Sequence, residues 1–273
     1  MQNPQLEMTE PRHIHIIDGG MPDLGPTQLR IRTERSLISA GTEGSSFTGR
    51  PWQHVDGRPM PEYPARTGYS NAGVVVEIGA EVKNYEVGDR VASSAAHAQY
   101  VVFDEKHETI WRVPDGVEIE AATFCVLGAT VLNGVRLGKP QLGDAAAVVG
   151  LGVLGQLACQ FLKLAGPRPV IGIDLDASRL ELAARLGGID EAVNPADGDP
   201  VEAVRELTDG RGADIVYEVT GRTETYDLCF NAARRFGMVV ALGSPRWPAS
   251  VDMMKLHLKA LDCVGAIVSS HPK

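Results

Sequence analysis

The stretch VVGLGVLG, residues Val148 to Gly155, decides the fold of this chain. It sets a G-x-G-x-x-G spacing between a short apolar run and an amphipathic segment, the pattern of a dinucleotide-binding βα turn. Gly150 would allow the tight turn, Gly152 would let a pyrophosphate approach the backbone, and Gly155 would let the helix pack on the strand. The helix N-terminus offers N–H groups and partial positive charge to phosphates. The residues expected to contact a dinucleotide are Gly150, Gly152, Val153, Leu154 and Gly155.

An acidic residue follows the motif at the distance that a dinucleotide site requires. Asp174 ends a second apolar run, about 20 residues past the glycines, where a carboxylate accepts hydrogen bonds from the adenosine ribose hydroxyls. The same carboxylate would repel the 2′-phosphate of NADP, so the sequence predicts NAD as the cofactor and makes NADP the weaker alternative. Arg179 keeps that alternative open, because a nearby arginine can accommodate the 2′-phosphate.

The pattern of the chain changes near Gly116. Before it, short β-rich segments at 13–17, 28–33, 73–78, 90–92 and 99–103 predict a small barrel or sandwich. After it, strands and helices alternate, which predicts a parallel, doubly wound sheet. We therefore predict an α/β protein with two domains, residues 1–115 and 116–273. The predicted strands of the second domain are 145–150, 169–174, 191–194, 213–220, 237–243 and about 263–268. Its predicted helices are 119–137, one from the motif to 166, 178–186 with Asp176 as its N-cap, 199–207 and 224–234.

Four further residues stand where the fourth and fifth strands of this sheet end. They are Thr220, Gly221, Gly243 and Ser244. Because nucleotides bind at the carboxyl ends of the strands in such sheets, we expect all four to lie at the cofactor site.

Composition narrows the class of protein. The chain is 44% hydrophobic and 22% charged, as globular proteins are, and its net charge is −9 without a basic patch. Nucleic acid and anionic membranes are therefore not expected as partners. The apolar segment 145–162 contains the glycine motif, so it is not read as a membrane span. The N-terminus shows no signal peptide, which predicts a cytoplasmic protein. Four widely spaced cysteines predict free thiols.

Four motifs together resemble the medium-chain dehydrogenase/reductase superfamily. They are Ser39–Glu43 (SAGTE), Gly68–Val75 (GYSNAGVV), Gly88–Val91 (GDRV) and the glycine motif. The resemblance implies a GroES-like β-barrel followed by a Rossmann domain, an NAD(P)-dependent dehydrogenase/reductase, a small-molecule substrate and a homodimer. The first two motifs are similar to a zinc-free branch that includes bacteriochlorophyllide a dehydrogenase and the dehydrogenase half of some two-domain sugar-linked oxidoreductases. Relatives continue past the last predicted strand and return to the barrel, and that return is expected to be missing here.

The chain departs from its zinc-dependent relatives at the metal ligands. Those relatives bind a catalytic zinc through a cysteine, a histidine, and a later cysteine or glutamate. The matching positions here hold Ala40, Tyr69 and about Val126. A catalytic zinc needs three protein ligands drawn from Cys, His, Asp and Glu. The sequence therefore predicts neither a zinc ion nor any other metal.

Without zinc, another group must manage the proton that leaves an alcohol on oxidation. A hydrogen-bond donor must steady the developing alkoxide, or the substrate must be an enone or quinone that needs less help. Tyr69 stands at the place of the metal-binding histidine and can donate a hydrogen bond, or it packs in the protein. Thr42 matches the residue that begins the proton relay of the superfamily, or it is a turn hydroxyl. Glu43 is a base or is tied to an arginine. Thr130 resembles the residue that faces the nicotinamide amide.

Three functions remain open from the sequence. The first is a zinc-independent oxidoreductase that moves a hydride between NAD(H) and a hydroxyl/carbonyl substrate, a secondary alcohol or a sugar derivative. The second is an enone or quinone reductase. The third is a nucleotide-binding protein without catalysis that serves as a partner or sensor, since fold alone does not settle function.

Overall fold

A computed structural model of the chain describes residues 2–49, 62–107, 109–245 and 248–267. The chain forms two compact units, Met1–Leu127 and Gly128–Lys273. The domain boundary that the sequence predicts, between residues 115 and 116, remains a prediction. Within the described residues, no helix combines the length and the apolarity needed to cross a membrane.

The first unit is built from two antiparallel sheets that curl in the manner of a GroES-like half-barrel. One sheet has the order β2-β1-β4 and the other β7-β3-β5-β6-β8. Irregular register between β3 and β5 occurs twice, and such bulges increase the local twist and bend the sheet. The elements are β1 (Pro4–Glu10), β2 (His13–Asp18), β3 (Gln28–Ser36), α1 (Thr42–Phe47), β4 (Ala65–Arg66), β5 (Asn71–Ile78), β6 (Arg90–Ser93), β7 (Tyr100–Asp104), β8 (Ile110–Arg112) and α2 (Ile119–Ala122).

Alternating side chains of β3 and its neighbours fill the core of the larger sheet. Leu29 and Ile31 of β3 are completely buried, and they pack with Val75, Val91 and Ile110. The five strands predicted for this unit are all present. The sequence does not predict β1, β4, β8 or the helix α1. These segments are short or rich in polar residues, and their hydrophobic residues show no clear helical or strand periodicity.

The second unit is a parallel sheet of six strands with the order β11-β10-β9-β12-β13-β14, as the doubly wound prediction requires. The chain order reverses direction at β9, so β9 borders the crevice where such sheets bind dinucleotides. The helix α3 (Cys125–Leu137) precedes this sheet. The elements that follow are β9 (Ala146–Val149), α4 (Val153–Ala165), β10 (Val170–Ile173), α5 (Ala177–Arg185), β11 (Glu191–Val193), α6 (Pro200–Glu206), β12 (Ala213–Glu218), α7 (Thr225–Ala232), β13 (Ala233–Ala241), α8 (Met253–Lys259) and β14 (Asp262–Gly265).

The two faces of this sheet bury two separate hydrophobic clusters. Val148 and Tyr217 belong to the cluster that packs under α4, and Val149 and Val216 belong to the cluster on the opposite face. All four residues of β9 are buried, which explains why this strand reads as a continuous apolar run without alternation.

The helices differ from the sequence prediction at three places. The helix predicted over 119–137 is broken between α2 and α3, where the Thr123 carbonyl accepts a hydrogen bond from Ser70 Oγ at 2.8 Å. The helix predicted to end at 234 ends at Ala232, because the chain enters β13 there and Ala233 pairs with Ala213. The helix α8 was not predicted, and three of its apolar residues are exposed, which blurs the amphipathic signal.

Lys259 connects α8 to the end of α7. Its Nζ donates to the carbonyl oxygens of Phe230, Asn231 and Ala233 at 2.9, 2.7 and 2.7 Å. The last carbonyls of a helix have no partner within the helix, and a cation there also interacts favourably with the helix dipole. Burial, with smaller contributions from Arg205 and Lys255, lowers the pKa of Lys259.

We expect Lys259→Met to reduce the free energy of unfolding by about 2 kcal/mol, because it removes a charged donor from three carbonyls and keeps the apolar stem. Urea denaturation followed by circular dichroism measures the change. Lys255→Met on the same helix is the control, since Lys255 pairs with the half-exposed Asp227 and such surface pairs contribute about 0–1 kcal/mol. Equal stability of the two variants would contradict the capping role.

Candidate functional site

The glycine motif forms a close-packed turn between β9 and α4. Gly150 has φ +97°, and a Cβ built on it would lie 2.6 Å from Thr220 Cγ2. A Cβ on Gly155 would lie 1.9 Å from the Gly150 carbonyl oxygen. Only glycine fits at these two positions, for the reasons predicted from the sequence.

Gly152 differs from the other two glycines because it is exposed and because a Cβ built there would meet no atom within 4 Å among the described residues beyond its chain neighbours. It is the N-cap residue of α4, and no side chain caps the helix. Val153 and Leu154 begin the helix. The N–H groups of this first turn and the open side of Gly152 fit a pyrophosphate, which binds backbone donors at helix N-termini.

The side chain of Asp174 is hydrogen-bonded to the glycine motif. Its Oδ2 accepts the Leu151 N–H at 2.6 Å, its Oδ1 accepts the Asp176 N–H at 2.9 Å, and its side chain is 8% exposed. Arg179 is half exposed and lies between two carboxylates, 3.5 Å from Asp174 Oδ2 and 3.6 Å from Asp176 Oδ2. Asp176 caps α5 as predicted, because its side chain accepts the Ser178 N–H. The carboxylate predicted to bind a ribose is therefore held at the motif turn.

The residues predicted at the ends of β12 and β13 lie together. The Gly243 N–H donates to the Glu218 carbonyl at 2.7 Å, and a Cβ on Gly243 would lie 2.3 Å from the Gly221 nitrogen. Gly221 has φ +67°, and its Cβ would lie 2.8 Å from the Ser244 carbonyl oxygen. Thr220 is exposed and lies against the glycine motif at Gly150. Thr130 is half-buried on α3, one turn before Gly134, a residue against which the end of β13 packs.

A buried carboxylate that the sequence analysis missed, Glu218, organises these turns. Glu218 is fully buried at the end of β12. Its Oε1 accepts the Thr220 N–H at 2.8 Å and lies 2.9 Å from Thr225 Oγ1, and its Oε2 accepts the Gly221 N–H at 3.2 Å. The signal in the sequence was an acidic residue at the end of a mostly apolar strand, directly before Val-Thr-Gly.

The first unit holds a second polar cluster, centred on Glu43. Its Oε2 accepts the Ser39 N–H at 2.7 Å, and its Oε1 accepts hydrogen bonds from Thr67 Oγ1 at 2.5 Å and His97 Nε2 at 2.8 Å. The side chains of Glu43 and His97 are only 7% and 4% exposed. Burial opposes ionisation of Glu43, but the bonds from His97, Thr67 and Ser39 outweigh it and lower the pKa of its carboxyl group. The partner of Glu43 is thus a histidine, where the sequence analysis considered an arginine.

Tyr69 and Thr42 flank this cluster. Thr42 begins α1, its N–H lies 3.4 Å from Ser39 Oγ, and its side chain is half-buried. Tyr69 is half-buried two residues after Thr67, and no hydrogen bond joins it to another residue in the described part of the chain. A pocket of about 200 Å³ lies in the same unit. Its lining residues are mostly apolar and are Leu6, Met8, Ile14, Ile38, Ala40, Glu43, Gly44, Phe47, Thr67 and His97.

The residues present do not fit a catalytic zinc. Ala40 has no donor atom, Val126 has none, and Tyr69 offers a phenol in place of an imidazole. The described residues contain no group of three or more His, Cys, Asp or Glu side chains arranged to hold a metal. Cys125, the nearest thiol to the third ligand position, is half-buried, and burial raises its pKa away from the thiolate that metals bind.

Comparisons with known proteins match both parts of the chain. Residues 26–134 match the family model of the alcohol dehydrogenase GroES-like domain, and residues 153–273 match that of zinc-binding dehydrogenases. The chain is 30% identical over 267 residues to L-threonine 3-dehydrogenase of Symbiobacterium thermophilum, an alignment covering 85% of this chain and 72% of that relative. It is 30% identical over 231 residues to D-guloside 3-dehydrogenase of Escherichia coli K12, covering 83% and 65% of the two chains.

A solved structure shows the same fold. The crystal structure of 2R,3R-butanediol dehydrogenase from Bacillus subtilis superposes with a TM-score of 0.85 at 25% identity and covers 97% of this chain and 84% of that one. The chain combines a GroES-like sheet with a Rossmann-like parallel sheet, as its structural neighbours do. The chain belongs to the medium-chain dehydrogenase/reductase superfamily and is an oxidoreductase.

Alanine substitution distinguishes the second and third glycines of the motif, Gly152 and Gly155. Gly155→Ala should lower the free energy of unfolding by about 1–3 kcal/mol, because its Cβ would overlap the Gly150 carbonyl and force the helix away. Gly152→Ala should change the free energy of unfolding by at most about 0.5 kcal/mol, because a φ of −67° and the open space admit a methyl group while the N-cap position favours glycine slightly. Urea denaturation compares the two, and equal effects would refute the assigned contacts.

Proposed function

We propose that the protein transfers a hydride between NAD(H) and a hydroxyl/carbonyl substrate without zinc. The observation that carries the proposal is the Asp174 carboxylate fixed at the glycine turn. A second feature adds to it, the presence of Ala40 and Tyr69 at positions where zinc-dependent relatives place metal ligands. The first feature supports a nicotinamide dinucleotide, and the second supports proton chemistry carried out by side chains.

Residues of the second unit would hold the cofactor. The N–H groups at the start of α4, with Gly150, Gly152, Val153, Leu154 and Gly155, would receive the pyrophosphate. Asp174 would accept the hydroxyls of the adenosine ribose, and its negative charge would disfavour a 2′-phosphate. Thr220, Gly221, Gly243 and Ser244 would border the nicotinamide half, with Thr130 facing its amide. When bound, the nicotinamide ring supplies the acceptor or donor of the hydride.

Tyr69 and Thr42 are the proposed donors to the substrate oxygen. A phenol and a hydroxyl can both stabilise a developing alkoxide by hydrogen bonding, the task that zinc performs as a Lewis acid in its relatives. Glu43 would support these two residues by holding the backbone near them in place. Its carboxylate joins the segments that carry residues 39, 67 and 97, and so fixes the backbone on either side of Thr42 and just before Tyr69.

The substrate class follows from the relatives and from the chemistry. The relatives are named for threonine and a guloside, and the solved neighbour for butanediol. All three are hydroxyl compounds whose oxidation gives a carbonyl group. We therefore propose a secondary alcohol or a sugar derivative as substrate.

The choice between NAD and NADP is tested at Asp174. Asp174→Asn removes the charge and keeps one acceptor oxygen for the Leu151 N–H, so we expect the dissociation constant ratio of NADPH to NADH to fall about tenfold or more. Fluorescence titration measures both constants. Asp176→Asn is the matched control, because asparagine preserves the helix cap and should leave the ratio nearly unchanged. An Asp174→Asn protein with the wild-type ratio would contradict the ribose contact.

The reaction is tested with NAD and NADP against secondary alcohols, their ketones, enones and quinones, before and after dialysis against EDTA. We expect NAD-dependent turnover of an alcohol/ketone pair and an unchanged rate after dialysis, because no side chain at the metal positions can hold zinc. Elemental analysis of the purified protein gives the metal content directly. Stoichiometric zinc with EDTA-sensitive turnover would overturn zinc independence. Turnover of enones or quinones alone would favour an enone or quinone reductase. Cofactor binding without any turnover would favour a nucleotide-binding protein without catalysis.

A further inference from the structure

Glu218 stands apart from the other acidic residues of the second unit, because its side chain is fully buried and yet has no cationic partner among the described residues. Buried carboxylates are usually paired with a cation or a metal. This one is satisfied by the backbone N–H groups of Thr220 and Gly221 and by the hydroxyls of Thr220 and Thr225. All of these hydrogen bonds come from the segment that follows β12.

The same residue also holds the neighbouring turn through its main chain. The Glu218 carbonyl oxygen accepts the N–H groups of Leu242 and Gly243, at 2.9 and 2.7 Å. A Cβ on Gly243 would lie 2.6 Å from Glu218 Oε2, so the backbone after β13 packs directly on the carboxylate. The loops after β12 and β13 are thus both held by one residue, the first by the carboxylate of Glu218 and the second by its main-chain carbonyl.

The position of Glu218 in the sheet decides which part of a dinucleotide it affects. In the order β11-β10-β9-β12-β13-β14, the strands β9 to β11 form one mononucleotide-binding half and β12 to β14 the other. Asp174, at the end of β10, belongs to the half that takes the adenosine ribose. The turns held by Glu218 belong to the half that takes the nicotinamide nucleotide.

We propose that Glu218 is a positioning residue for the nicotinamide half of the cofactor, an inference that rests on the proposed function. It does not touch the cofactor, because it is fully buried. It acts by holding Thr220, Gly221 and Gly243 in the arrangement that the nicotinamide nucleotide contacts. Adenosine binding, which depends on Asp174 and the glycine motif, does not need it.

The test compares two ligands, NADH and AMP, on Glu218→Gln. Glutamine keeps one acceptor oxygen but replaces the other with an NH₂ group that faces an N–H donor. The Gly221 N–H therefore loses its hydrogen-bond acceptor. We expect the dissociation constant of NADH to rise about tenfold and that of AMP to stay within about twofold. Calorimetry measures both constants, and urea denaturation confirms that the variant is folded.

Asp214→Asn is the matched control. Asp214 is a second buried carboxylate on the same strand, but at its amino end, where it accepts the Ala145 N–H at 2.8 Å and pairs with Arg234. A general loss of stability in the sheet would appear in this variant too. We expect it to lower the free energy of unfolding without changing the ratio of the two dissociation constants.

Thr225→Val serves if Glu218→Gln does not fold. It removes one hydroxyl contact to Oε1 and keeps the side-chain volume, so the NADH constant should rise about threefold with AMP unaffected. The positioning role of Glu218 would be refuted, with the proposed function untouched, by either of two results from a folded Glu218→Gln or Thr225→Val variant. One is a wild-type dissociation constant for NADH, and the other is an equal loss of affinity for AMP and NADH. A wild-type protein that binds neither ligand overturns the proposed function and this inference with it.

Discussion

The contact between Gly155 and the carbonyl oxygen of Gly150 is the constraint on which the second unit depends. A methyl group at residue 155 would come within 1.9 Å of that oxygen, so the first turn of α4 rests directly on the end of β9. This closeness aims the helix N-terminus over the carboxyl edge of the sheet. It also brings the Leu151 N–H within 2.6 Å of Asp174. The proposed phosphate donors and the proposed ribose acceptor are therefore joined in one close-packed turn.

The parts of the molecule that sequence predicted well are those governed by local rules. The glycine turn, the start of α4, the cap at Asp176 and the end of α4 at Gly166 each depend on residues within a few positions of one another. The strand β9 was recognisable because both of its faces are buried, which removes every polar residue from it. Alternation of strands and helices then left a doubly wound sheet as the arrangement consistent with all of these elements.

The parts that sequence did not predict depend on contacts between distant residues. Glu43 meets His97 across 54 positions, and nothing in the local pattern of either residue indicates the other. Glu218 was not predicted because the role of a carboxylate in a buried strand depends on its donors, and these are two backbone N–H groups and two hydroxyls that the sequence pattern does not single out. The break between α2 and α3 is similar, since the freed Thr123 carbonyl is satisfied by Ser70, 53 residues away.

The same physical principle links the two polar clusters. A carboxylate buried without compensation would be costly, and each of these carboxylates is instead surrounded by donors. At Glu43 the donors include a side chain that can itself carry charge, and burial and hydrogen bonding act in opposite directions on the pKa, with hydrogen bonding prevailing. At Glu218 the donors are amides and hydroxyls, which cannot change charge at any ordinary pH. A group held in that way suits the fixing of backbone geometry better than the transfer of protons. In the proposed function, Ala40 and Tyr69 at the metal positions would therefore leave the proton chemistry to side chains of the first unit, while the buried acid of the second unit would shape the surface that receives the coenzyme.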